Sequence, residues 1–408
     1  NFIDLFAGAG GLSEGFKNAG FNPIAHVELD KAACFTLKTR VAYTYLKRTK
    51  KINVYYSYLK GEISRKELYS RIPNYLLDSV INASIGKEND AIFKKIDELR
   101  NGNEIDLIVG GPPCQAYSYI GRAALKHREV DDRKTLYLHY GKFLEKYRPK
   151  LFVFENVPGL KTSDDGRHYK NLKEYFKRLG YEIDDAYLNA YDFGVIQNRK
   201  RLIIIGWKEN IQFKYPSFRR KKHSWTREDI FSDLQEITHG HDERLSYYAS
   251  SEPNRYLSYS GIRNGVNFVT QHITRPHNSN DLEIYKLAIK KLEEENKRLK
   301  NNEIPEEKRT QQNVKDFLDR FKVVGIVPHT MIAHISKDGH HFIYPDTKNL
   351  RSISVREAAR IQSFPDDFYF EGELEHRPRT AAFRQIGNAV PPLMAHKIAL
   401  KIRTSLQV

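Results

Sequence analysis

The chain has 408 residues, with 67 Lys and Arg against 51 Asp and Glu and a formal net charge of +16. It exceeds one ordinary domain and presents a surface that attracts polyanions, nucleic acid first among them. Its two cysteines, Cys34 and Cys114, are too few for a disulfide framework or a metal knuckle, so no metal site is expected and a reducing, cytoplasmic setting fits. No apolar run reaches the ~20 residues of a membrane span, and the opening Asn1-Phe-Ile-Asp-Leu-Phe lacks the basic flank of a leader, so neither membrane insertion nor secretion is expected.

Short apolar runs that read as buried parallel strands recur in the first half: Phe2–Phe6, Ile24–Val27, Asp106–Val109, Leu151–Phe154 and Arg201–Gly206. Helical patterns fall between them, as in Gly11–Ala19 and Leu136–Tyr147, and this alternation predicts a doubly wound α/β sheet with function at strand C-termini. Between Lys38 and Arg71 stand ten Lys and Arg against two Glu, with Tyr interleaved; the stretch reads equally as a DNA-phosphate contact or as a solvated helical insertion. After Trp207 the texture turns basic, aromatic and loop-rich until about Leu350, which places a second domain there, with one helix from Asp281 to Lys300 inside it. A helical pattern resumes at Ser354, and Pro392–Leu406 reads as a last helix. The expected organisation is a core over 1–207 with a basic insertion at about 40–80, a second domain over 208–350, and a segment over 351–408 returning to the core.

Five places carry chemistry. The first strand runs into Phe6-Ala-Gly-Ala-Gly-Gly11 and a helix, an arrangement in which glycines let a nucleotide-like ligand approach a helix N-terminus. Twenty residues after Gly8 the second strand ends at Glu28, whose carboxylate can accept ribose hydroxyls; this pair alone does not separate a dinucleotide from S-adenosylmethionine. Strand Asp106–Val109 leads into Gly110-Gly-Pro-Pro-Cys114, where two prolines fix a rigid loop and polar surroundings favour a presented thiol. Strand Leu151–Phe154 ends in Glu155-Asn156-Val157, placing a carboxyl at what can be an adjacent strand end, where burial raises its pKa toward proton donation. In Gln197-Asn-Arg199-Lys-Arg201, alternation along an extended segment turns Gln197, Arg199 and Arg201 to one side. The histidines His329, His334, His340 and His341 lack the spacing of a zinc site and read as ordinary polar residues.

These elements, in this order, resemble the DNA (cytosine-5) methyltransferase family, particularly the bacterial enzymes that accompany restriction systems. The residues carrying the resemblance are Asp4-Leu-Phe-Ala-Gly-Ala-Gly-Gly11, Gly111-Pro-Pro-Cys-Gln115, Glu155-Asn-Val157, Gln197-Asn-Arg-Lys-Arg201, the stretch from Arg351 to Gln362, and Gly387-Asn-Ala-Val-Pro-Pro392. The resemblance implies an S-adenosylmethionine-dependent, Rossmann-like methyltransferase core with a smaller, irregular target-recognition domain over 208–350. Implied partners are double-stranded DNA and a cognate restriction endonuclease, with the enzyme acting as a monomer.

The family's mechanism, carried onto these residues, makes Cys114 the nucleophile that adds to C6 of a flipped-out cytosine. Glu155 then serves N3 and the amino group, while Arg201 with Arg199 holds O2 or an adjoining phosphate. The stretch from Ala116 to Thr135 corresponds to the family's closing loop. For the cofactor, the resemblance implies Phe6, Gly8, Gly10, Gly11 and Leu12 around methionine and adenine, and Glu28 on the ribose. Leu29, Pro113 and Leu136 would border the ligand, and Asn388, Ala389 and Val390 would close the pocket. One departure is Ser84-Ile85, where the family usually carries an acidic residue for the adenine amino group. A dinucleotide oxidoreductase would leave the cysteine, glutamate and arginine elements unexplained. A tRNA methyltransferase shares the chemistry but suits the long basic domain less well, and a silent DNA-binding regulator has no need of the set.

Overall fold

The structure, a computed structural model, describes residues 1–113, 135–218, 223–309, 318–375 and 377–405. Strands β1 (Phe2–Leu5), β2 (Pro23–Glu28), β3 (Val80–Asn82), β4 (Leu107–Gly110), β5 (Leu151–Asn156), β6 (Tyr181–Asn189) and β7 (Lys200–Lys208) form one sheet in the order β3-β2-β1-β4-β5-β7-β6. Residues alternate between its two faces, so both must be covered. Phe2, Leu107, Val109, Leu151 and Val153 turn to one face; Ile3, Leu5, Ile108 and Phe152 turn to the other, against Tyr140, Phe143 and Phe176.

Helices α1 (Gly11–Asn18), α2 (Lys31–Arg48), α3 (Ile52–Lys60), α4 (Arg65–Ser70), α5 (Asn89–Arg100), α6 (Leu136–Tyr147) and α7 (Arg167–Arg178) fall between or beside the strands. The alternation of strand and helix thus builds a doubly wound α/β sheet.

Two expectations change. The run expected over Arg201–Gly206 as a parallel strand is antiparallel to both neighbours, β5 and β6. The short connection of residues 190–199 between β6 and β7 returns the chain beside itself, whereas a parallel pair needs a long crossover. Strands β3 and β6 are additions, because β3 has only three residues and β6 alternates Glu182 and Asp184 with the buried Tyr181 and Ile183 and carries Asp185 besides, as an edge strand does.

The basic stretch 38–71 is helical, and its interleaved tyrosines are core. Tyr43, Tyr55 and Tyr58 pack with Leu46, Leu68, Phe268 and Tyr369. Arg40 pairs with Glu14 at 2.6 Å and with Asp367 at 2.9 Å. Although burial opposes the charge, Arg40 and Lys17 hold the Glu14 carboxyl well below the usual range. The lysines at 50, 51 and 60 remain exposed.

Beyond β7 the chain is largely irregular, with a two-residue pair, β8 (Leu245–Ser246) with β9 (Val269–Thr270), short helical turns such as Glu228–Phe231 and Arg255–Ser260, and one longer helix, α8 (Ser279–Glu295). Helix α8 starts at Asn278, whose side chain accepts from the Asp281 N–H, and stops at Asn296 with φ +51°, short of the expected Lys300. Helices α9 (Val355–Ile361), α10 (Arg379–Asn388) and α11 (Pro392–Ser405) complete the chain.

The segment 351–408, expected to return to the core, also packs on the irregular region, while Asp367, Tyr369, Glu371 and Gln385 contact the core helices α2 and α3. Ile353, Val355, Ala358, Phe364, Phe370, Phe383 and Ile386 share one apolar cluster with Ile230, Phe231, Tyr256, Ile273, Val324 and Phe342 of the irregular region. Only α11 and the residues just before it pack on the sheet, through Val390, Leu393, Ile398 and Ile402. The arginines of α9 explain the difference. Arg360 bonds Asp366 and Asp233, and Arg356 donates to the Thr270 and Phe368 carbonyls. These buried cations tie α9 to the irregular region through paired, hydrogen-bonded contacts, the only inexpensive way to bury them.

Candidate active site

The site lies where β1, β2, β4 and β5 end together. In parallel register Leu5 faces both Val27 and Gly110, and Gly110 faces Phe154. The glycine loop therefore emerges beside Glu28 on one flank and beside the Gly-Pro-Pro segment on the other, and Glu155 follows directly on the next strand.

The glycine loop is built on left-handed backbone: Phe6 at φ +55°, Gly8 at +54° and Gly10 at +80°. That region is costly for Phe6 and free for glycine. A side chain at Gly8 would meet nothing within 4 Å, so the loop opens onto space, whereas one at Gly11 would stand 2.2 Å from the Val390 carbonyl oxygen. Gly11 thereby brings the segment Asn388–Val390 against the loop. Leu12, Ala389 and Val390 are buried, while Asn388 is exposed at the end of α10.

The Glu28 carboxylate is fixed by main-chain donors, with the Gly8 N–H at 2.8 Å and the Asp30 N–H at 2.7 Å. Burial raises its pKa, against the lowering effect of those two bonds. Leu29 beside it is 66% exposed, an uncovered apolar side chain at the rim. Pro113 is exposed and Leu136, the first residue of α6, is half-buried. An open loop, an anchored acceptor carboxylate and an uncovered apolar flank fit the sugar and base of an adenosine-containing ligand such as S-adenosylmethionine. At the departure Ser84-Ile85, the Ser84 N–H donates to the Glu88 carboxylate and Ile85 is buried.

Across the loop, the Glu155 carboxylate is 9% exposed and held by Arg201, with Arg201 Nε 2.7 Å from Oε1. A Cβ at Gly111 would lie 2.5 Å from Glu155 Oε2, so only glycine leaves room for the carboxylate there. Asn156 donates to the Pro112 carbonyl at 3.3 Å, tying the Gly-Pro-Pro segment to β5. Cys114 and the expected closing loop from Ala116 lie outside the described residues, apart from its end at Thr135.

Arg199 changes place. Expected beside Arg201 to hold O2 or a phosphate, it is fully buried, and its guanidinium donates to the main-chain carbonyls of Met331 and Gly387. Gln197 turns the same way, as alternation predicts, but the side it shares with Arg199 is the interior rather than the base pocket. Asn198 and His329 form a bridge that lays the 328–331 segment beside them. The histidines His329, His340 and His341 are half-buried or buried in this region, and no group of three ligating side chains suited to a metal ion occurs among the described residues.

Sequence reasoning missed Asn156 as the tie to Pro112, and it missed Asp4. Both Asp4 carboxylate oxygens are buried, and burial followed by the Glu28 charge raises the pKa against the lowering effect of the Ser13 N–H that faces them. A carboxyl inside the apolar run Phe-Ile-Asp-Leu-Phe was the available signal.

The model of C-5 cytosine-specific DNA methylases matches residues 1–61 and 64–404. The chain belongs to that family. It is similar, at 41% identity over 98% of both chains, to the type II methyltransferase M.Bpa9945I of Bacillus paralicheniformis, and at 30% identity to M.DdeI of Desulfomicrobium norvegicum, covering 98% of this chain and 88% of that one. Among solved structures it is similar to a DNA modification methyltransferase encoded within an E. coli prophage, with 24% identity, a TM-score of 0.67, and coverage of 100% and 99% of the two chains. The last likeness concerns the fold. As a DNA cytosine-5 methyltransferase, the protein carries its carboxylate–arginine pair and its glycine loop at the same end of the sheet, where β1 and β5 terminate and β7 begins. No helix among the described residues is long and apolar enough to cross a membrane.

Proposed function

We propose that this methyltransferase transfers a methyl group from S-adenosylmethionine to C5 of a cytosine flipped out of a specific double-stranded DNA sequence, and that it protects DNA alongside a cognate restriction endonuclease. The observation that carries the reading is the register of β4 and β5. Gly110 faces Phe154, so the chain leaves toward Cys114 on one strand while Glu155, clasped by Arg201, follows on its neighbour.

Cytosine C5 is too weak a nucleophile to attack a methyl group unaided. The Cys114 thiolate forms a bond to C6, pushing electron density onto C5 and N3. Glu155, acting in its protonated form once the base is bound, gives N3 a proton as that charge develops, and Arg201, already against the same side chain, stands next to the pyrimidine O2. S-adenosylmethionine, when bound, supplies an electrophilic methyl on its sulfonium. After methylation the C5 proton passes to a solvent base, the C6–sulfur bond breaks with its electrons leaving on Cys114 as the thiolate, and N3 returns its proton to Glu155. Arg199 supports this site from behind by bracing Met331 and Gly387. For the cofactor, Phe6, Gly8, Gly10, Gly11 and Leu12 form the floor, Glu28 accepts the ribose hydroxyls, Leu29, Pro113 and Leu136 flank it, and Asn388, Ala389 and Val390 close it. Residues 208–350 read the DNA, and their basic character suits phosphate contact.

The test is methyl transfer from labelled S-adenosylmethionine into plasmid DNA, with 5-methylcytosine mapped at base resolution. The expected result is 5-methylcytosine at one recurring sequence, and loss of turnover with retained cofactor binding in Cys114→Ser. DNA left unlabelled, or label on another base, refutes the assignment.

A further inference from the structure

Two fully buried glutamines outside the proposed base pocket form a directional hydrogen-bond chain. The Met331 N–H donates to Gln197 Oε1 at 2.9 Å. Gln197 Nε2 donates to the Ile361 carbonyl at 3.1 Å and to Gln362 Oε1 at 2.9 Å. Gln362 Nε2 donates in turn to the Ile386 carbonyl at 2.6 Å and the Ala389 carbonyl at 3.1 Å. A main-chain N–H at one end and main-chain carbonyls at the other permit one orientation of each amide.

The chain's ends lie at two functional places. At one end, Met331 follows Thr330, which bonds the Asn198 carbonyl, and Asn198 in turn bonds Pro328; this strip lies beside the chain that becomes β7 and carries Arg201 to Glu155. At the other, Ala389 is bracketed by Asn388 and Val390, and the Val390 carbonyl abuts Gly11 of the glycine loop. Arg199 joins the same two ends directly, on Met331 and Gly387.

We infer that Gln197 and Gln362 are positioning residues that couple the cofactor seat at 388–390 to the DNA-side strip at 328–331, so that DNA and cofactor each tighten the binding of the other. The inference rests on the cofactor and DNA sites proposed above. A buried amide that loses its partner leaves unpaired groups in the interior, so a shift of either strip is resisted through the glutamines at the other. Coupling of this kind is reciprocal: the factor by which DNA tightens cofactor binding is the factor by which cofactor tightens DNA binding.

The experiment uses the full chain, S-adenosylhomocysteine as probe, and plasmid DNA that the wild-type enzyme methylates. Cofactor-product affinity is measured with and without DNA for the wild type, Gln197→Met and Gln362→Met, which keep volume and remove the hydrogen bonds. The expected result is a ratio of the two affinities at least threefold smaller in each variant. An unchanged ratio, or equal weakening with and without DNA, overturns the inference and leaves the glutamines merely structural. Should the variants fail to fold, exchange of the Met331 amide hydrogen in the wild type decides: slower exchange on adding S-adenosylhomocysteine supports the coupling, and unchanged exchange overturns it. A wild type that binds no S-adenosylhomocysteine refutes the cofactor site itself, and that control separates the two failures.

Discussion

Arg201 Nε stands 2.7 Å from Glu155 Oε1, both side chains nearly buried, on two antiparallel strands in which Glu155 faces Ile203. The pair brings a cation and a carboxylate to one spot before any substrate arrives, so neither group needs to reorganise when charge develops on a bound base. Replacing Glu155 by Gln keeps the shape and an acceptor for Arg201 but removes the acid. Single-turnover methyl transfer is expected to fall about 10²- to 10⁴-fold while cofactor affinity stays within about twofold. Equal rates in the variant and the wild type would remove Glu155 from the chemistry.

Gly111→Ala separates activity from stability. The added methyl would press on Glu155 Oε2, the far end of a side chain, and not on backbone. The carboxylate is therefore expected to swing away at little cost to the fold. A displacement of about 1 Å at a reacting group costs about 10²-fold in rate, so the rate should fall by that order with the melting temperature nearly unchanged. Thermal denaturation beside single-turnover kinetics measures both, and a stable variant of full activity contradicts the geometry.

Gly11→Ala meets an unyielding neighbour. Its methyl would stand 2.2 Å from the Val390 carbonyl oxygen, and Gly15 approaches Ala395 of α11 nearly as closely. Backbone has to move, at about 1–3 kcal/mol for an overpacked contact. Both stability and cofactor affinity are expected to drop, and calorimetric titration with S-adenosylhomocysteine measures the latter.

Acid is expected to unfold the protein through its buried histidines. Burial lowers His26, His272, His277, His329 and His341 from 6.5 to about 4. Between those values the unfolded chain binds more protons than the folded one, so stability is full above about 6.5 and is lost as pH falls toward about 4. The raised carboxyls of Asp4, Glu28 and Glu371 act in the opposite sense, losing stability as pH rises. A difference experiment isolates one group. His272, bonded to Ser354 Oγ and the Gln235 carbonyl, contributes on the order of 3 kcal/mol of pH-dependent stability at most. His272→Gln should flatten the fall in melting temperature between pH 6.5 and 4.5; an identical slope would refute the assignment.

How much of this could be read from the chain depends on how local each signal is. The glycine loop, Glu28 at the end of β2, the Pro-Pro-Cys segment and Glu155 at the end of β5 each write their context within a few residues, through period-two apolar runs broken by glycine and proline. The interleaved tyrosines of 38–71 were ambiguous, because a tyrosine stripe reads alike whether it meets DNA or Phe268 and Tyr369.

The linear order of residues determined the doubly wound class, the family and the identities of the groups proposed for chemistry, since short-range periodicity and spacing encode them. Tertiary structure alone decided that β7 runs antiparallel, that Arg199 and Gln197 turn inward while Arg201 meets Glu155, and that residues 353–386 pack against the irregular region as well as against the core helices. Those outcomes depend on partners far along the chain, such as Met331 for Arg199 and Asp233 for Arg360. A buried guanidinium goes wherever carbonyls or carboxylates satisfy it, and no local pattern says where that is.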